Sequence, residues 1–212
     1  MSFDSSIENL IRDYSPIKNI LHIGACLGEE VTFYEQLNPN LVYWFEANPK
    51  LIQKLTDNVT GKPFENKVFP YAVSSKKGTS NFNIIENHDG TNPGCSSLQD
   101  LKLHLELYPN IKKVDSCEVE TINIDEFLLE NNLQTEFDLV SLDTQGHDFE
   151  ILNSSNFILN SKLIVIETAS IELYEGQKVD KEIDKFLESK GYHKQYYHPF
   201  HHTWGDTLYV KK

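Results

Sequence analysis

A short apolar run that meets two closely spaced glycines constrains the fold of this chain more than any other stretch. Residues 19–23 read as a buried strand, Gly24 and Gly28 follow, and a helical pattern begins near Gly28. The glycines let the backbone turn and approach a ligand closely, while a helix start directs free N–H groups toward the same space. A strand, a glycine turn and a helix in this order predict the first unit of a ligand-binding α/β sheet.

A second apolar run, residues 42–45, ends in an acid, Glu46, which follows Gly24 by 46 − 24 = 22 positions. Nucleotide-binding folds place an acid about 20 residues after the glycine turn, where it accepts hydrogen bonds from ribose hydroxyls. The glycines are spaced G-x-x-x-G rather than G-x-G-x-x-G, and Glu29 and Glu30 at the helix start would repel a pyrophosphate. These residues favour S-adenosylmethionine (SAM), which carries a ribose and a cationic sulfonium but no phosphate, over a nicotinamide dinucleotide. An ordinary α/β turn without a ligand is the other interpretation.

Composition and charge limit the architecture of the chain and its partners. With 212 residues, 39% of them hydrophobic and 24% charged, the chain fits a single α/β domain over residues 1–212. The net charge of −13 disfavours nucleic acid and anionic membranes as partners, because their recognition normally needs a basic surface. Three cysteines in a chain of this length indicate reduced thiols. Neither a signal peptide nor a membrane-spanning apolar run is visible, so the expected compartment is the cytoplasm.

Strand-like runs alternate with helical patterns along most of the chain, which predicts an α/β sheet in the doubly wound order 3-2-1-4-5 with helices on both faces. These runs are residues 19–23, 41–46, 67–73, 137–142 and 162–166. Pro70 interrupts the third run, and because proline is excluded from central strands, that strand belongs at the sheet edge. Residues 74–116 break the alternation and read as an insertion that could form a lid. Two final runs, 192–197 and 207–210, are spaced to pair as an antiparallel hairpin.

Three of the predicted strands end in acids, which are Glu46, Asp143 and Glu167. In open α/β sheets ligands bind outside the carboxyl ends of the strands, so these acids should converge on one crevice beside Gly24. Carboxylates gathered there could hold a ribose, attract a sulfonium, bind a divalent cation, or act as a base whose pKa is raised by its neighbours. Acids that only mark solvent-exposed strand ends are the simpler interpretation.

Two histidine-containing stretches add candidate residues. Asp143, Gly146 and His147 stand together where a strand passes into a helix, and His147 could take a proton from a substrate hydroxyl. A histidine that only caps the helix or supports its neighbours is the alternative. Residues 198–204 hold three histidines with a phenylalanine and a tryptophan. Their spacing matches no zinc motif of known mechanics, and the segment could either stack on a sugar ring or form a solvated hairpin loop.

A set of motifs spread over roughly residues 19–210 matches one known family. The matching pieces are Ile23–Gly24–Ala25–Cys26–Leu27–Gly28, Phe45–Glu46–Ala47–Asn48–Pro49, Tyr71–Ala72–Val73–Ser74, Cys95–Ser96–Ser97–Leu98, Leu142–Asp143–Thr144–Gln145–Gly146–His147–Asp148–Phe149–Glu150–Ile151–Leu152 and Gly205–Asp206–Thr207–Leu208–Tyr209–Val210. On these residues the chain resembles the FkbM-type methyltransferases, a class I SAM-dependent group. The block over residues 142–152 is the most specific of the matches.

The resemblance implies a Rossmann-like, seven-stranded and mostly parallel sheet whose last strand is antiparallel. It also implies O-methylation of hydroxyls on sugars or secondary metabolites. By the same likeness Gly24 and Gly28 would contact the methionine part of the cofactor. Glu46 would contact its ribose and Ala72 would lie near its adenine. The matching loops add three neighbours to the cofactor-binding set, namely Ala25, Cys26 and Ala47. The family often has asparagine where Cys26 stands, so an amide contact to the methionyl group would be lost, although the backbone N–H is kept.

The residues and the resemblance together predict a SAM-dependent O-methyltransferase that acts on a hydroxyl of a sugar, a glycan or a glycosylated metabolite. The hydroxyl would attack the sulfonium methyl in line, with alignment providing most of the catalysis and Asp143 or His147 acting as the base. Asp143 also belongs to the predicted cofactor site, and together with Glu167 it could hold a divalent cation, Mg²⁺ or Mn²⁺. A nicotinamide-dependent oxidoreductase and a non-catalytic glycan-binding module on the same fold are the alternatives.

Overall fold

A seven-stranded sheet forms the centre of the fold in the computed structural model, which describes residues 3–212. The strands within that range are β1 (Asn19–Ile23), β2 (Leu41–Phe45), β3 (Glu65–Phe69), β4 (Ala72–Val73), β5 (Gly78–Asn87), β6 (Ile111–Ile122), β7 (Leu139–Leu142), β8 (Leu163–Ala169), β9 (Tyr192–Pro199) and β10 (Trp204–Lys211). The central sheet has the order β3-β2-β1-β7-β8-β10-β9, and its neighbouring strands are parallel except where β10 pairs. This confirms the predicted Rossmann-like, mostly parallel sheet with an antiparallel last strand and the third strand at its edge.

Helices cover both faces of this sheet. They are α1 (Ser5–Asp13), α2 (Val31–Leu37), α3 (Ile52–Val59), α4 (His104–Leu107), α5 (Ile124–Glu130), α6 (Asp148–Ser154) and α7 (Asp180–Ser189). Because strand side chains alternate between the faces, Tyr43 and Phe45 of β2 pack with residues of α5, α6 and α7. Val42 and Trp44 of the same strand pack with residues of α1, α2 and α3. The core therefore consists of two apolar layers, one on each face of the sheet. None of the helices within residues 3–212 has the length and apolarity needed to span a membrane.

The segment predicted as an insertion, residues 74–116, contributes most of a second, smaller sheet. The order of this sheet is β4-β6-β5, and β5 pairs antiparallel with β6 along its whole length. Pro70 separates the predicted third strand into β3, in the central sheet, and the two-residue β4, in the small sheet.

After β5 the chain returns toward the central sheet. The Ser97 hydroxyl donates to the carbonyl of Gln145 at 2.7 Å, and the Lys102 N–H donates to the carbonyl of Leu173 at 2.9 Å. Both acceptors lie in loops that follow β7 and β8. The insertion is therefore attached to the carboxyl ends of the strands, which is the edge of the sheet where a ligand is expected.

Candidate functional site

The loop after β1 passes very close to the end of β7, and a glycine is needed for this approach. Gly24 has a left-handed backbone with φ +82°, and a Cβ atom at this position would lie 1.8 Å from the carbonyl oxygen of Asp143. The N–H groups of Gly24 and Ala25 both donate to the carbonyl of Phe45 at 2.9 Å, which attaches the loop to the end of β2 as well. The loop is thus held between the carboxyl ends of β2 and β7.

The loop, the end of β2 and the small sheet enclose a cavity, which we call the first cavity. The predicted site residues that line it are Gly24, Cys26, Glu46, Ala47, Ala72, Asp143 and His147. Apolar side chains complete its wall, and they are Ile23, Phe45, Leu51, Tyr71, Val73, Phe82 and Leu98. An apolar chamber with a carboxylate at one end suits a nucleoside, whose base is flat and whose ribose donates hydrogen bonds.

The Glu46 carboxylate is held in a defined orientation at the polar end of the first cavity. Its Oε2 accepts from the Cys26 N–H at 2.7 Å, and its Oε1 accepts from the Asn48 N–H at 2.6 Å. Cys26 donates this hydrogen bond from a left-handed backbone with φ 48°. Burial raises the pKa of the Glu46 carboxyl to about 7. Since each carboxylate oxygen has a second lone pair, Glu46 can still accept hydrogen bonds from a diol.

Two other predicted cofactor residues, Ala25 and Gly28, are not among the described residues that line this cavity. The Ala25 side chain is buried in the core. A Cβ atom at Gly28 would lie 2.8 Å from Cδ1 of Leu55, so this glycine lets the loop pack on α3. Cofactor contacts by these two residues therefore stay predictions.

The helix after the glycine turn begins later than predicted, and this changes the charge argument. Residues 25–31 form successive turns, and α2 starts at Val31 rather than near Gly28. Glu30 is 5% exposed, and its Oε2 lies 3.9 Å from Nδ1 of His22. Burial raises the pKa of Glu30 to about 8. The raised pKa reduces the negative charge of Glu30 at neutral pH, so the expected repulsion of a pyrophosphate rests mainly on Glu29.

A second cavity adjoins the first and shares part of its lining. The shared residues are Cys26, Asn92, Gly94, Asp143 and Gln145. The second cavity has a volume of about 450 Å³, within the range of about 300–1,000 Å³ that is typical of small-molecule sites. Two cavities that meet at one carboxylate can place a donor beside an acceptor, with Asp143 between them.

Aromatic side chains form one wall of the second cavity, and they are Tyr108, Phe200 and Trp204. The Trp204 indole N–H donates to the Tyr108 hydroxyl at 2.6 Å, and the rings of Phe200 and Trp204 are 5.2 Å apart between centroids. Two of the three residues belong to the segment 198–204, for which the sequence left two interpretations. The structure places its aromatic residues at the cavity, and a wall of this kind can stack on the apolar face of a ring.

Four acids line the second cavity, and besides Glu29 they are Asp143, Glu167 and Asp206. The last three lie on neighbouring strands or directly after one. The Gln145 carboxamide bridges two of them, because its Nε2 donates to Oδ1 of Asp143 at 2.5 Å and to Oε2 of Glu167 at 3.2 Å. Asp206 of β10 lies directly opposite Glu167 of β8 in the antiparallel register. Burial and the neighbouring negative charges raise the pKa of Asp143 to about 6 and that of Asp206 to about 7. The same causes raise the pKa of Glu167 well above its ordinary value.

These acids give no support to the predicted cation site. Within residues 3–212 no group of three or more His, Cys, Asp or Glu side chains is arranged to hold a metal ion. The two predicted ligands, Asp143 and Glu167, are joined by an N–H donor of Gln145 instead. A donor group between two carboxyls occupies the position in which a cation shared by both would lie.

His147 lies in the first cavity and is not among the described residues that line the second. Its Nε2 is 2.9 Å from the Ser74 hydroxyl oxygen, and its Nδ1 is 3.0 Å from Nε2 of Gln99. The amide N–H₂ of Gln99 can only donate, so Nδ1 accepts and Nε2 carries the proton toward Ser74. Burial lowers the pKa of His147 to about 4. With both nitrogens engaged and a low basicity, His147 is less suited than Asp143 to accept a proton, and its catalytic role stays a prediction.

The sequence reasoning missed Gln145 and Asp206, although each lies inside a matched motif. Nothing in the spacing of residues 143–147 indicates that Gln145 lies between two carboxyls. No spacing rule shows that β10 runs antiparallel beside β8 and brings Asp206 opposite Glu167. The signal available in the sequence was that both residues belong to matched motifs. That their side chains reach the same cavity can be seen only from the register of the strands.

Three solved structures illustrate the fold that this chain shares with known proteins. Precorrin-6y C5,15-methyltransferase from Geobacter metallireducens GS-15 has a TM-score of 0.54 at 12% identity, over 98% of this chain and 87% of that chain. A candidate RNA methyltransferase from Pyrococcus horikoshii has a TM-score of 0.51 at 13% identity, over 98% and 83%. Magnesium protoporphyrin IX methyltransferase from Synechocystis PCC 6803, solved with bound SAM, has a TM-score of 0.50 at 12% identity, over 98% and 77%. At such identities the likeness shows the fold alone.

Sequence comparison identifies the family. No curated protein matches the chain by sequence. A family model described as the methyltransferase FkbM domain matches residues 22–194. This range includes the glycine turn, Glu46, the insertion and the Asp143 block, and it covers well over half of the chain. The chain therefore belongs to the FkbM methyltransferase family and has the fold of the class I SAM-dependent methyltransferases.

Proposed function

We propose that this protein is a SAM-dependent O-methyltransferase that acts on a hydroxyl of a sugar, a glycan or a glycosylated metabolite. The observation that carries the proposal is the junction of two cavities at Asp143, one with a carboxylate for a ribose and the other with an aromatic wall. We also propose that residues 1–212 form one domain. Since Asn92 and Gly94 of the insertion line both cavities, residues 74–116 are well placed to act as its lid.

SAM is the proposed occupant of the first cavity. Glu46 would accept hydrogen bonds from the ribose hydroxyls, and the apolar wall that includes Ala47 and Ala72 would surround the adenine. The backbone of the loop, with Gly24 and Cys26, would face the methionine part. When bound, SAM supplies a methyl group on a cationic sulfonium, which the carboxylates around the cavity junction attract.

The second cavity suits a sugar. The wall formed by Tyr108, Phe200 and Trp204 can stack on the apolar face of a pyranose, and the neighbouring carboxyls can accept hydrogen bonds from its hydroxyls. The net charge of −13 favours such a small acceptor over nucleic acid, whose backbone an acidic surface repels. Because a structure with this fold is a candidate RNA methyltransferase, RNA belongs in the acceptor screen.

Asp143 is the proposed base. A sugar hydroxyl is a weak acid, and its oxygen becomes a good nucleophile only as its proton leaves. The pKa of Asp143, about 6, leaves the carboxyl largely ionised at pH 7 to 8 and more basic than an ordinary aspartate. In the reaction the hydroxyl oxygen forms a bond to the methyl carbon, the carbon–sulfur bond breaks, and Asp143 receives the hydroxyl proton.

The test combines cofactor binding with an acceptor screen. Calorimetric titration with SAM, S-adenosylhomocysteine and NAD should show binding of the first two and none of NAD. A screen with methyl-labelled SAM should then transfer label to a sugar hydroxyl and not to RNA. Asp143→Asn should lower kcat at least 100-fold, a larger effect than its loss of SAM affinity, and the activity of His147→Ala measures the predicted role of that histidine. Binding of NAD instead of SAM, or glycan binding without any transfer of label, would refute the proposal.

A further inference from the structure

Gln145 occupies a strained position at the junction of the two cavities. Its backbone is left-handed with φ 57°, a conformation that few residues other than glycine adopt. The turn is held on both sides, because the Thr144 N–H donates to the Asp148 carboxylate at 2.8 Å and Ser97 donates to the Gln145 carbonyl at 2.7 Å. Strained backbone that the surroundings enforce is often found at functional sites. The left-handed backbone of Gln145 therefore points to a function for the side chain of the same residue.

The side chain of Gln145 has one defined orientation. Tyr174 donates its hydroxyl hydrogen to Oε1 of Gln145 at 2.6 Å, and Nε2 faces Asp143 and Glu167. A carboxamide has an acceptor at one end and two donor hydrogens at the other. If the amide were flipped, its oxygen would face two carboxyls and its N–H₂ would face the Tyr174 hydroxyl. The hydrogen-bond pattern therefore favours the observed orientation while Asp143 is ionised.

The amide also fixes the carboxyl that faces both cavities. An aspartate can rotate its carboxyl group within a broad range, but Oδ1 of Asp143 is bound to Gln145. Among residues 3–212 no side chain or N–H group donates a hydrogen bond to Oδ2, so within this part of the chain the atom is available to a ligand. The same amide lies between Asp143 and Glu167 and so reduces the repulsion between two neighbouring acids.

We propose that Gln145 is a positioning residue for methyl transfer, which holds Asp143 and Glu167 as one unit and presents the free oxygen of Asp143 at the cavity junction. The inference rests on the proposed function, in which Asp143 receives the hydroxyl proton. Tyr174 sets the orientation of the amide and acts one step further from the reaction. The inference adds to the site two residues that act through Asp143 and do not themselves accept the proton.

Three variants test this assignment. Gln145→Met keeps the length of the side chain and removes both donors. Tyr174→Phe keeps the ring and removes the hydroxyl that orients the amide. Gln53→Met is the matched control, because the exposed Gln53 of α3 also donates from Nε2 to a carboxylate, that of Asp57, at 2.8 Å.

The first readout needs no acceptor. Carbon-13 NMR titration of the Asp143 carboxyl should show its pKa raised by about one unit in Gln145→Met, because an N–H donor stabilises the ionised form. Tyr174→Phe should raise it by less, and Gln53→Met should leave it unchanged. An Asp143 pKa that is the same in all four proteins would overturn the inference, whether or not an acceptor has been found.

The second readout uses turnover. In Gln145→Met, kcat at pH 7 should fall at least tenfold while the KM for SAM changes less than twofold. The acidic limb of the pH–kcat profile should move to higher pH, so that activity partly recovers at pH 8.5. A purely structural role predicts a lower Tm with an unmoved profile, and that result would refute positioning. If Gln145→Met does not fold, Tyr174→Phe must show a smaller displacement of the profile in the same direction, toward higher pH. Absence of methyl transfer by the wild type would count against the proposed function, while the NMR titration would still decide the role of Gln145.

Discussion

The approach of the β1 loop to the end of β7 can be tested by adding a single methyl group. In Gly24→Ala the new Cβ would lie 1.8 Å from the Asp143 carbonyl oxygen, whereas such contacts essentially never fall below 3.0 Å. The loop and the strand end must therefore separate by at least 1.2 Å, the difference between these distances. This movement disturbs two hydrogen bonds, Gly24 N–H to Phe45 at 2.9 Å and Asp143 N–H to Ile23 at 3.0 Å.

These terms set the size of the effect. A left-handed alanine costs about 1–2 kcal/mol, and each disturbed hydrogen bond costs about 0.5–1.5 kcal/mol. The expected loss in the free energy of unfolding is about 2–5 kcal/mol. Because a displacement of about 1 Å at a reacting centre can cost about 100-fold in rate, kcat/KM should fall by at least that factor.

A substitution at a second glycine, Gly61, measures the cost of a left-handed alanine without the steric clash. Gly61 has nearly the same conformation, with φ +77°, and a Cβ there would meet nothing within 4 Å. Gly61→Ala should therefore cost only about 1–2 kcal/mol and leave SAM affinity unchanged. Urea unfolding and calorimetric titration with SAM give both quantities. If the two variants lose the same stability within about 0.5 kcal/mol, the steric argument for Gly24 is refuted.

Three further predictions concern the cavities and the buried acids. SAM should bind more tightly as pH rises through about 7, which is the raised pKa of Glu46, since an ionised carboxylate is the better acceptor. Calorimetry should show that Glu46→Gln loses this pH dependence. The affinity of this variant for SAM should be about tenfold lower at pH 8 than that of the wild type. Trp204→Ala should raise the acceptor KM at least tenfold in label-transfer assays and leave SAM affinity unchanged. Burial raises the pKa of Glu30 from 4.5 to about 8, so this residue's contribution to stability is present below pH 4.5 and is lost as pH rises toward 8. In urea unfolding, Glu30→Gln should therefore show a smaller loss of stability from pH 5 to pH 8, by about 3–4 kcal/mol.

Controls for these predictions are available within the chain. Glu35 of α2 and Tyr197 of β9 are exposed, so Glu35→Gln and Tyr197→Ala should leave SAM affinity, acceptor KM and the pH dependence of stability unchanged. A wild-type SAM affinity that is flat from pH 6 to 8 would contradict the role given to Glu46. Equal acceptor KM values for Trp204→Ala and the wild type would place the acceptor elsewhere.

The sequence predicted the parts of the fold that depend on local pattern. Alternating runs located the strands, and the third strand lies at the sheet edge as predicted, although Pro70 comes directly after β3 rather than within it. The start of α2 could not be read in the same way, because residues 25–30 have no strong helix-start signal and the turns around Gly28 depend on packing against Leu55. The small sheet was missed as a separate unit, since β4 has only two residues and pairs with a strand more than 40 positions further along the chain.

The direction of one strand explains why the acceptor side of the site was harder to predict than the cofactor side. Gly24 and Glu46 are neighbours because β1 and β2 are parallel and consecutive, so sequence spacing suffices to pair them. Asp206 and Trp204 reach the second cavity at the start of β10, which is antiparallel to β8 and therefore begins where β8 ends. A parallel strand would place its first residues at the opposite edge of the sheet. The antiparallel strand thus brings an acid and an aromatic ring to the carboxyl ends of the other strands. It follows that variation at the start of β10 and in the insertion should change the acceptor, while variation in the β1 loop should change cofactor affinity.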